Sequence, residues 1–331
     1  MRRIEQVVGG AILTALLWLL TGCGATAPTL VWKSDTHAPI WNTPIADEGR
    51  VYIGNQEGVY ALQSETGEMV WDIRFGPGKW TYASPTSMTG GVLYFGVRHD
   101  HHLYGADSQT GNILLQMELG ENEIILPPLA VNTVVYFATN DGALHALDTK
   151  SREIKWEAAL GLSANSGLGI ADETVYAAGT WDGFLHALNA QTGEQHWRFA
   201  TNAQGASRPV IAEGTVYFGS GDGSLYAVDA RTGEEKWRFQ SGGPVDGLAY
   251  ADGLVYICSE DNALYAINGE TGEQTWRFDT GAKVVTDPLV VNGTVYVGNL
   301  DGHLYAVNAG TGKRIWEFST GGAINSSPVE R

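Results

Sequence analysis

One pattern recurs along this chain and constrains its fold more than any other feature. The chain contains seven copies of V-Y-x-G, an Asp-Gly turn, L-Y-A-x-D/N, Thr-Gly and W-x-F, spaced 39 to 44 residues apart. A repeat of this length indicates that each copy is one supersecondary unit, stabilised by its neighbours. The tryptophans that mark the pattern are Trp32, Trp71, Trp156, Trp197, Trp237, Trp276 and Trp316, with Leu115 at the place of a missing one.

Each part of the repeat has a structural reason. Stretches such as TVYFG and SLYAV alternate and are rich in β-branched and aromatic residues, which predicts strands. Pairs such as Asp141-Gly142 and Asp222-Gly223 are expected to supply the positive φ angles of a tight hairpin. A later acidic or amide residue, such as Asp229, can bond its own backbone two residues on. The tryptophan falls on the outer strand, where its ring can join one unit to the next.

The repeat predicts an all-β protein in which residues 30–331 form a single β-propeller domain of four-stranded antiparallel blades. A linear solenoid is the alternative, but it needs polar capping repeats, whereas the terminal copies here keep the full pattern. Seven complete repeats favour seven blades. An extra tryptophan segment at 30–34 and the final AINSSPVER resemble the outer and inner strands of a reduced eighth blade, so eight blades remain possible.

The first residues predict export. Residues 1–22 have the basic start and apolar core of a signal peptide, and Leu20-Thr21-Gly22-Cys23 resembles a bacterial lipobox. Lipidation is therefore predicted at Cys23, with residues 23–29 as the lipidated cysteine and a short tether; its GATAPT stretch reaches roughly 20 Å. The expected location is the outer membrane, facing the periplasm, or the extracellular face of a single cytoplasmic membrane. An uncleaved anchor is the alternative, although so short a core spans a bilayer poorly.

Charge and motifs narrow the function classes. The formal net charge of −17 disfavours nucleic acid, whose phosphates require clustered Lys and Arg, and it disfavours electrostatic adhesion to anionic lipid. The sequence contains no G-x-S-x-G, H-E-x-x-H, C-x-x-C or Walker A string, so no catalytic residue is predicted. Cys258, the only cysteine besides Cys23, stands where other repeats have Gly or Ala, which favours a packing role.

The string Y-A-x-D-x-x-T-G-x-x-x-W resembles the repeat of pyrroloquinoline-quinone (PQQ) type propellers, from Trp32 to Val329. A lipoprotein built of little else resembles the BamB family of outer-membrane assembly lipoproteins. That resemblance implies a non-catalytic scaffold whose partners are membrane or envelope proteins, the β-barrel assembly machinery where an outer membrane exists.

Quinoprotein alcohol dehydrogenases share the repeat and bind the quinone with calcium. They carry adjacent cysteines, whereas Cys23 and Cys258 lie far apart here. No cofactor is therefore expected, PQQ included. The alternative of a small-ligand or quinone-binding propeller, as a degenerate oxidoreductase or sensor subunit, stays open.

Two groups of residues depart from the repeat. The variable segments that enter the innermost strands are predicted to face one mouth of the propeller, as a surface for a partner protein or a small polar ligand. Packing under loops and simple solvation are the alternatives. The residues of this group are Trp41, Lys79, Trp80, Arg208, Asp246, Lys283 and Asp287.

The second group is the turn RHDHHL, which places His99, His101 and His102 beside Asp100. Imidazoles and carboxylates are ligands for zinc, copper or nickel. Adjacent residues on one turn rarely converge on a single ion, and a solvated turn is the simpler interpretation. The three histidines are therefore weak candidates, and no metal site is predicted.

Overall fold

The computed structural model describes residue 32 and residues 43–55, 57–75, 87–97, 99–180, 183–203 and 207–329. Within this part of the chain, 28 strands form seven four-stranded sheets, and in each sheet consecutive strands pair antiparallel. The prediction of a seven-bladed β-propeller is confirmed. The predicted signal peptide, Cys23 and the tether lie outside the described residues. No helix within the described residues is long and apolar enough to span a membrane.

Blades 1 to 4 follow one another along the first half of the chain. Their strands are β1 (Ile45–Asp47), β2 (Arg50–Gly54), β3 (Gly58–Gln63), β4 (Met69–Arg74), β5 (Ser87–Thr89), β6 (Val92–Val97), β7 (His102–Asp107), β8 (Ile113–Glu118), β9 (Leu129–Val131), β10 (Val134–Ala138), β11 (Ala143–Asp148), β12 (Glu153–Ala159), β13 (Leu162–Ala171), β14 (Thr174–Thr180), β15 (Phe184–Asn189) and β16 (Gln195–Ala200).

Blades 5 to 7 complete the propeller. Their strands are β17 (Val210–Ala212), β18 (Thr215–Gly219), β19 (Ser224–Asp229), β20 (Glu235–Gln240), β21 (Val245–Ala251), β22 (Leu254–Ser259), β23 (Ala263–Asn268), β24 (Gln274–Asp279), β25 (Leu289–Val291), β26 (Thr294–Gly298), β27 (His303–Asn308) and β28 (Arg314–Ser319).

The first strand of each blade is innermost, and first strands of neighbouring blades contact one another, as β17 does β21 and β21 does β25. The second and third strands are almost entirely buried, because each lies between two neighbouring blades. The hydrophobic core is therefore divided into layers, each shared by two blades: one joins blades 3 and 4, and another joins blades 6 and 7.

The turns follow the predicted chemistry, with one correction. In the hairpins between second and third strands, Gly142 and Gly223 have φ of 85° and 83°, but the aspartates before them do not have positive φ. The aspartate instead accepts a backbone hydrogen bond two residues on, as Asp222 does from Ser224 at 2.8 Å. Only the glycine takes the left-handed conformation, because it has no Cβ to clash.

The tryptophans join neighbouring blades through a recurring contact. The Trp197 Nε1 donates to the carbonyl of Ala230 in the next blade at 3.1 Å, and the hydroxyl of Tyr176 donates to the same oxygen at 3.2 Å. The indole lies on Gly233, where a Cβ would stand 2.6 Å from the ring. The same arrangement occurs where Trp71, Trp156, Trp237 and Trp276 meet the following blade.

The contact between blades 2 and 3 departs from this arrangement on both sides. Leu115 replaces the tryptophan, and Arg152, with φ of 61°, stands where the other blades have the glycine. The Arg152 guanidinium donates to the carbonyl of Leu114 at 3.2 Å. The Leu115 side chain is smaller than an indole. It therefore leaves space for the Arg152 side chain at the position where the other blades have glycine.

The two end segments repeat contacts that a neighbouring blade would make. Trp32 donates from Nε1 to the Ser64 carbonyl at 2.9 Å and lies on Gly67, as an outer-strand tryptophan does. At the other end, Ile324 covers Gly298 of blade 7, as Val245 of blade 6 covers Gly219 of blade 5. Seven complete blades are therefore flanked by one contact of an outer strand and one of an inner strand.

A glycine pair tests the contact between blades. Gly233→Ala and Gly214→Ala both place a Cβ at positive φ, which costs about 1–2 kcal/mol. At Gly214 nothing lies within 4 Å of the new atom, whereas at Gly233 it meets the Trp197 ring. We expect Gly233→Ala to lose a further 1–3 kcal/mol, roughly the cost of overpacking, in urea denaturation. Equal losses for the two variants would contradict the contact.

A double-mutant cycle tests the compensation between blades 2 and 3. Leu115→Trp alone is expected to destabilise the protein, because its indole meets the Arg152 backbone and Cβ. Combined with Arg152→Gly, it should recover stability, giving a coupling of about 1 kcal/mol or more in urea denaturation. Additive effects of the two substitutions would show that they are independent.

Candidate functional site

One mouth of the propeller receives the hairpins between second and third strands and the loops that connect one blade to the next. Arg208, Lys283 and Asp287 lie in such loops, and Asp246 lies near the start of β21. The structure thus brings four of the seven predicted residues to the inner strands of blades 5, 6 and 7. Trp41, Lys79 and Trp80 lie outside the described residues.

Neighbouring inner strands approach closely at glycines. A Cβ on Gly167 would lie 2.3 Å from Cα of Arg208, and one on Gly247 would lie 2.3 Å from the Thr286 carbonyl oxygen. The Leu248 amide donates to Asp287 Oδ1 at 3.1 Å, and the Asp287 amide donates to Ser327 Oγ at 2.9 Å. Side chains of this layer therefore satisfy backbone groups that have no strand partner there.

Asp287 is the most enclosed charged group of this layer. Burial raises its pKa, and both the Leu248 hydrogen bond and the positive charge of Arg208 act against that rise. Arg208 itself is exposed. Asp287 thus links the segment entering blade 7 to β21 and to Ser327, while the Arg208 side chain is exposed to solvent.

Asp246, Glu260 and Lys283 form a second group, between blades 6 and 7. Lys283 Nζ pairs with Glu260 Oε2. Desolvation, and then the charge of Glu260, raise the pKa of Asp246 to about 6, although Lys283 opposes the rise. The Asp246 side chain is nevertheless exposed to solvent, so the carboxyl lies at the surface of the mouth with its hydration only partly lost.

Sequence reasoning missed the acidic hairpin of blade 6. Glu260, Asp261 and Asn262 stand where other repeats have the Asp-Gly turn, and Asn262 takes the left-handed position with φ of 70°. Asp261 accepts from the Gly242 amide at 2.9 Å, and Glu260 faces Lys283. The available signal was the loss of glycine from the turn, which marks this hairpin as different from its neighbours.

The three histidines do not converge. His99 Nδ1 lies 2.9 Å from Glu123 Oε1, and His101 Nδ1 lies 3.2 Å from the Asn122 carbonyl oxygen. His102 turns to Asp100 in its own hairpin. His99 and His101 therefore tie the blade 2 hairpin to the loop that enters blade 3.

A family model with the description "Outer membrane protein assembly factor BamB" matches residues 20–114, 55–165, 140–248 and 240–329. The chain belongs to the BamB family. A curated relative of the same name, from Moranella endobia (strain PCIT), is 26% identical over 125 residues, 35% of this chain and 32% of that protein. The match therefore spans about a third of the relative's length.

Solved structures share the fold. The crystal structure of BamB from Moraxella catarrhalis aligns with a TM-score of 0.70 and 23% identity, covering 86% of this chain and 89% of that one. The computationally designed Ika8 protein aligns at 0.75 and 15%, over 87% and 90%. A europium-containing methanol dehydrogenase aligns at 0.72 and 15%, over 89% and 81%. At these identities the likeness concerns the fold alone.

The name of that dehydrogenase includes a bound metal, and a metal ion needs several ligand side chains that converge. No three His, Cys, Asp or Glu side chains come together anywhere in the described ranges in a way that could hold a metal ion. Two mouth carboxylates of this BamB-family chain already have partners, Asp287 the Leu248 amide and Glu260 the Lys283 ammonium group.

The raised pKa of Asp246 makes stability depend on pH. A carboxyl that ionises near pH 4 in the unfolded chain but near pH 6 when folded binds more protons in the folded state between those values. The contribution of Asp246 to stability should therefore fall as pH rises from about 4 to about 6. Asp246→Asn should unfold at higher urea concentration than the parent at pH 7.5, with this gain lost below about pH 4. Asp47→Asn, on an exposed strand end, is the control for the loss of one carboxylate outside the mouth.

Proposed function

We propose that this protein is a non-catalytic, lipid-anchored scaffold that binds a membrane or envelope protein through the mouth bearing Arg208, Asp246 and Lys283. The observation that carries the proposal is the match to the BamB family along the whole propeller. The repeated residues serve contacts between blades, so the partner surface is sought where the repeats differ. Where the cell has an outer membrane, the β-barrel assembly machinery is the expected partner.

The charges of the mouth support recognition of a protein. Arg208, Asp246 and Lys283 are exposed, and the charge of Lys283 acts on Asp246, so the mouth presents both signs of charge. Mixed charges of this kind favour orientation and selectivity over raw affinity. An acidic chain without a basic patch leaves nucleic acid outside the proposal.

Cross-linking in native membranes tests the partner surface. An amine-reactive reagent should join Lys283 to one recurring partner, a β-barrel assembly protein or another fixed membrane protein. Lys283→Arg should abolish this product, because it keeps the charge facing Glu260 but removes the reactive amine. Lys313→Arg, in the loop between the third and fourth strands of blade 7 on the opposite face, is the matched control and should leave the product unchanged. If no partner recurs, or if only Lys313→Arg abolishes the product, the proposal is wrong.

The anchor has its own test. Cys23→Ala should prevent attachment of lipid and release the protein from the membrane fraction, because stable anchoring needs acyl chains. Metabolic labelling with a fatty acid, followed by fractionation, measures both effects. Unlabelled parent protein would show that Cys23 is not the lipid site, without bearing on the partner surface.

The proposal also excludes PQQ as a cofactor. Adding the quinone with Ca²⁺ to purified protein should leave the thermal midpoint unchanged, since a ligand bound only by the folded state would raise it. A saturable rise would favour the quinone-binding alternative.

A further inference from the structure

The outer strands of some blades carry exposed apolar side chains, whereas those of other blades do not. Five large apolar side chains are exposed within the described residues, and all five lie on outer strands just before the tryptophan position. They are Met69 at 49%, Ile113 at 41%, Leu114 at 46%, Ile154 at 39% and Ile315 at 37% exposure. These five residues, called the apolar rim below, belong to blades 1, 2, 3 and 7.

The repeat provides its own control. The same positions in blades 4, 5 and 6 carry exposed polar residues, such as His196, Lys236 and Thr275. The fold therefore does not require an apolar side chain there. An apolar residue that neither the pattern nor the core demands, repeated on neighbouring blades, marks an interaction surface.

The most exposed part of the apolar rim lies beside the point where the chain arrives from its predicted anchor. Trp32 is seated on blade 1, against Gly67. Exposure of the rim is greatest on blades 1 and 2 and lower at Ile154 of blade 3 and Ile315 of blade 7. About nine residues separate Cys23 from Trp32, a reach of at most about 30 Å. An anchor this short would hold blades 1 and 2 close to the bilayer.

We propose that the apolar rim around Met69, Ile113 and Leu114 rests in the interfacial layer of the lipid bilayer that holds the anchor. The inference rests on the lipid anchor of the proposed function but not on its protein partner. Apolar groups at a bilayer surface penetrate roughly 5–10 Å, deep enough for a curved rim to engage neighbouring blades together. The chain is strongly acidic, so the contact is apolar and should be insensitive to salt.

Two fluorescent probes test the contact. Leu114→Cys and Thr275→Cys occupy matching positions on blades 2 and 6, and Cys258 is buried and will not label. The lipidated protein is reconstituted into phosphatidylcholine vesicles, with and without brominated lipid. Bromine should quench the dye at position 114 at least about twofold more than the dye at 275. Equal quenching would overturn the proposal.

A rim variant separates the contact from mere proximity to the anchor. Met69→Gln with Ile113→Gln introduces the residue found at Gln195 and Gln274 in blades 4 and 6. In this background the excess quenching at position 114 should be lost. Excess quenching that persists would show that the tether alone brings the probe near lipid, and would overturn a role for the rim.

Two further outcomes are distinguishable. The dye at position 114 could be protected from solvent in native membranes and yet remain unquenched by brominated lipid in protein-free vesicles. In that case a protein covers the rim and the lipid proposal is wrong. If the protein does not float with vesicles, the lipid anchor is wrong. The two probes are then compared on free protein mixed with vesicles, where quenching greater at 114 supports the rim contact and equal quenching overturns it.

Discussion

The contact between an indole and the glycine of the following blade is the interaction on which the rest of the structure depends. At each such contact one carbonyl, such as that of Ala230, accepts from both Trp197 and Tyr176. An isolated four-stranded sheet leaves both faces of its middle strands open to water, and only neighbouring blades can cover them. The contact fixes the distance and rotation between blades, so one local pattern, repeated, builds a ring.

That dependence explains how much of the fold could be predicted from sequence. Strands, turns and the outer tryptophan follow from residues close together in the chain, as with Asp222 and Ser224 in one hairpin. The pairing of Leu115 with Arg152 could also have been found, because both are departures from the repeat at positions that touch. Contacts between residues far apart in the sequence could not be predicted. The ion pair of Lys283 with Glu260 and the hydrogen bond from the Leu248 amide to Asp287 form only because two blades pack together.

In the candidate site, too, some features follow from the local sequence and others depend on packing between blades. The segments that enter the inner strands were identifiable because they vary where everything else repeats. The sequence could not separate the side chain that builds the wall from the one that faces solvent, since Arg208 and Asp287 precede prolines in equivalent segments yet differ in burial. The apolar residues of the rim are visible in the sequence just before the tryptophan position. The strand pattern alone does not show that no further strand covers the outer strand, so it does not show that these side chains are exposed.

The two proposed surfaces impose a common geometry. The apolar rim lies on the outer strands, away from the propeller axis, whereas the mouth lies at one end of that axis. With blades 1 and 2 on the bilayer, the axis runs parallel to the membrane and the mouth opens sideways. A partner reaching Arg208 and Lys283 must then project from the same membrane beside the propeller. Blades 5 to 7, which carry those residues, stand on another part of the ring from blades 1 and 2, so one molecule can engage lipid and partner at once.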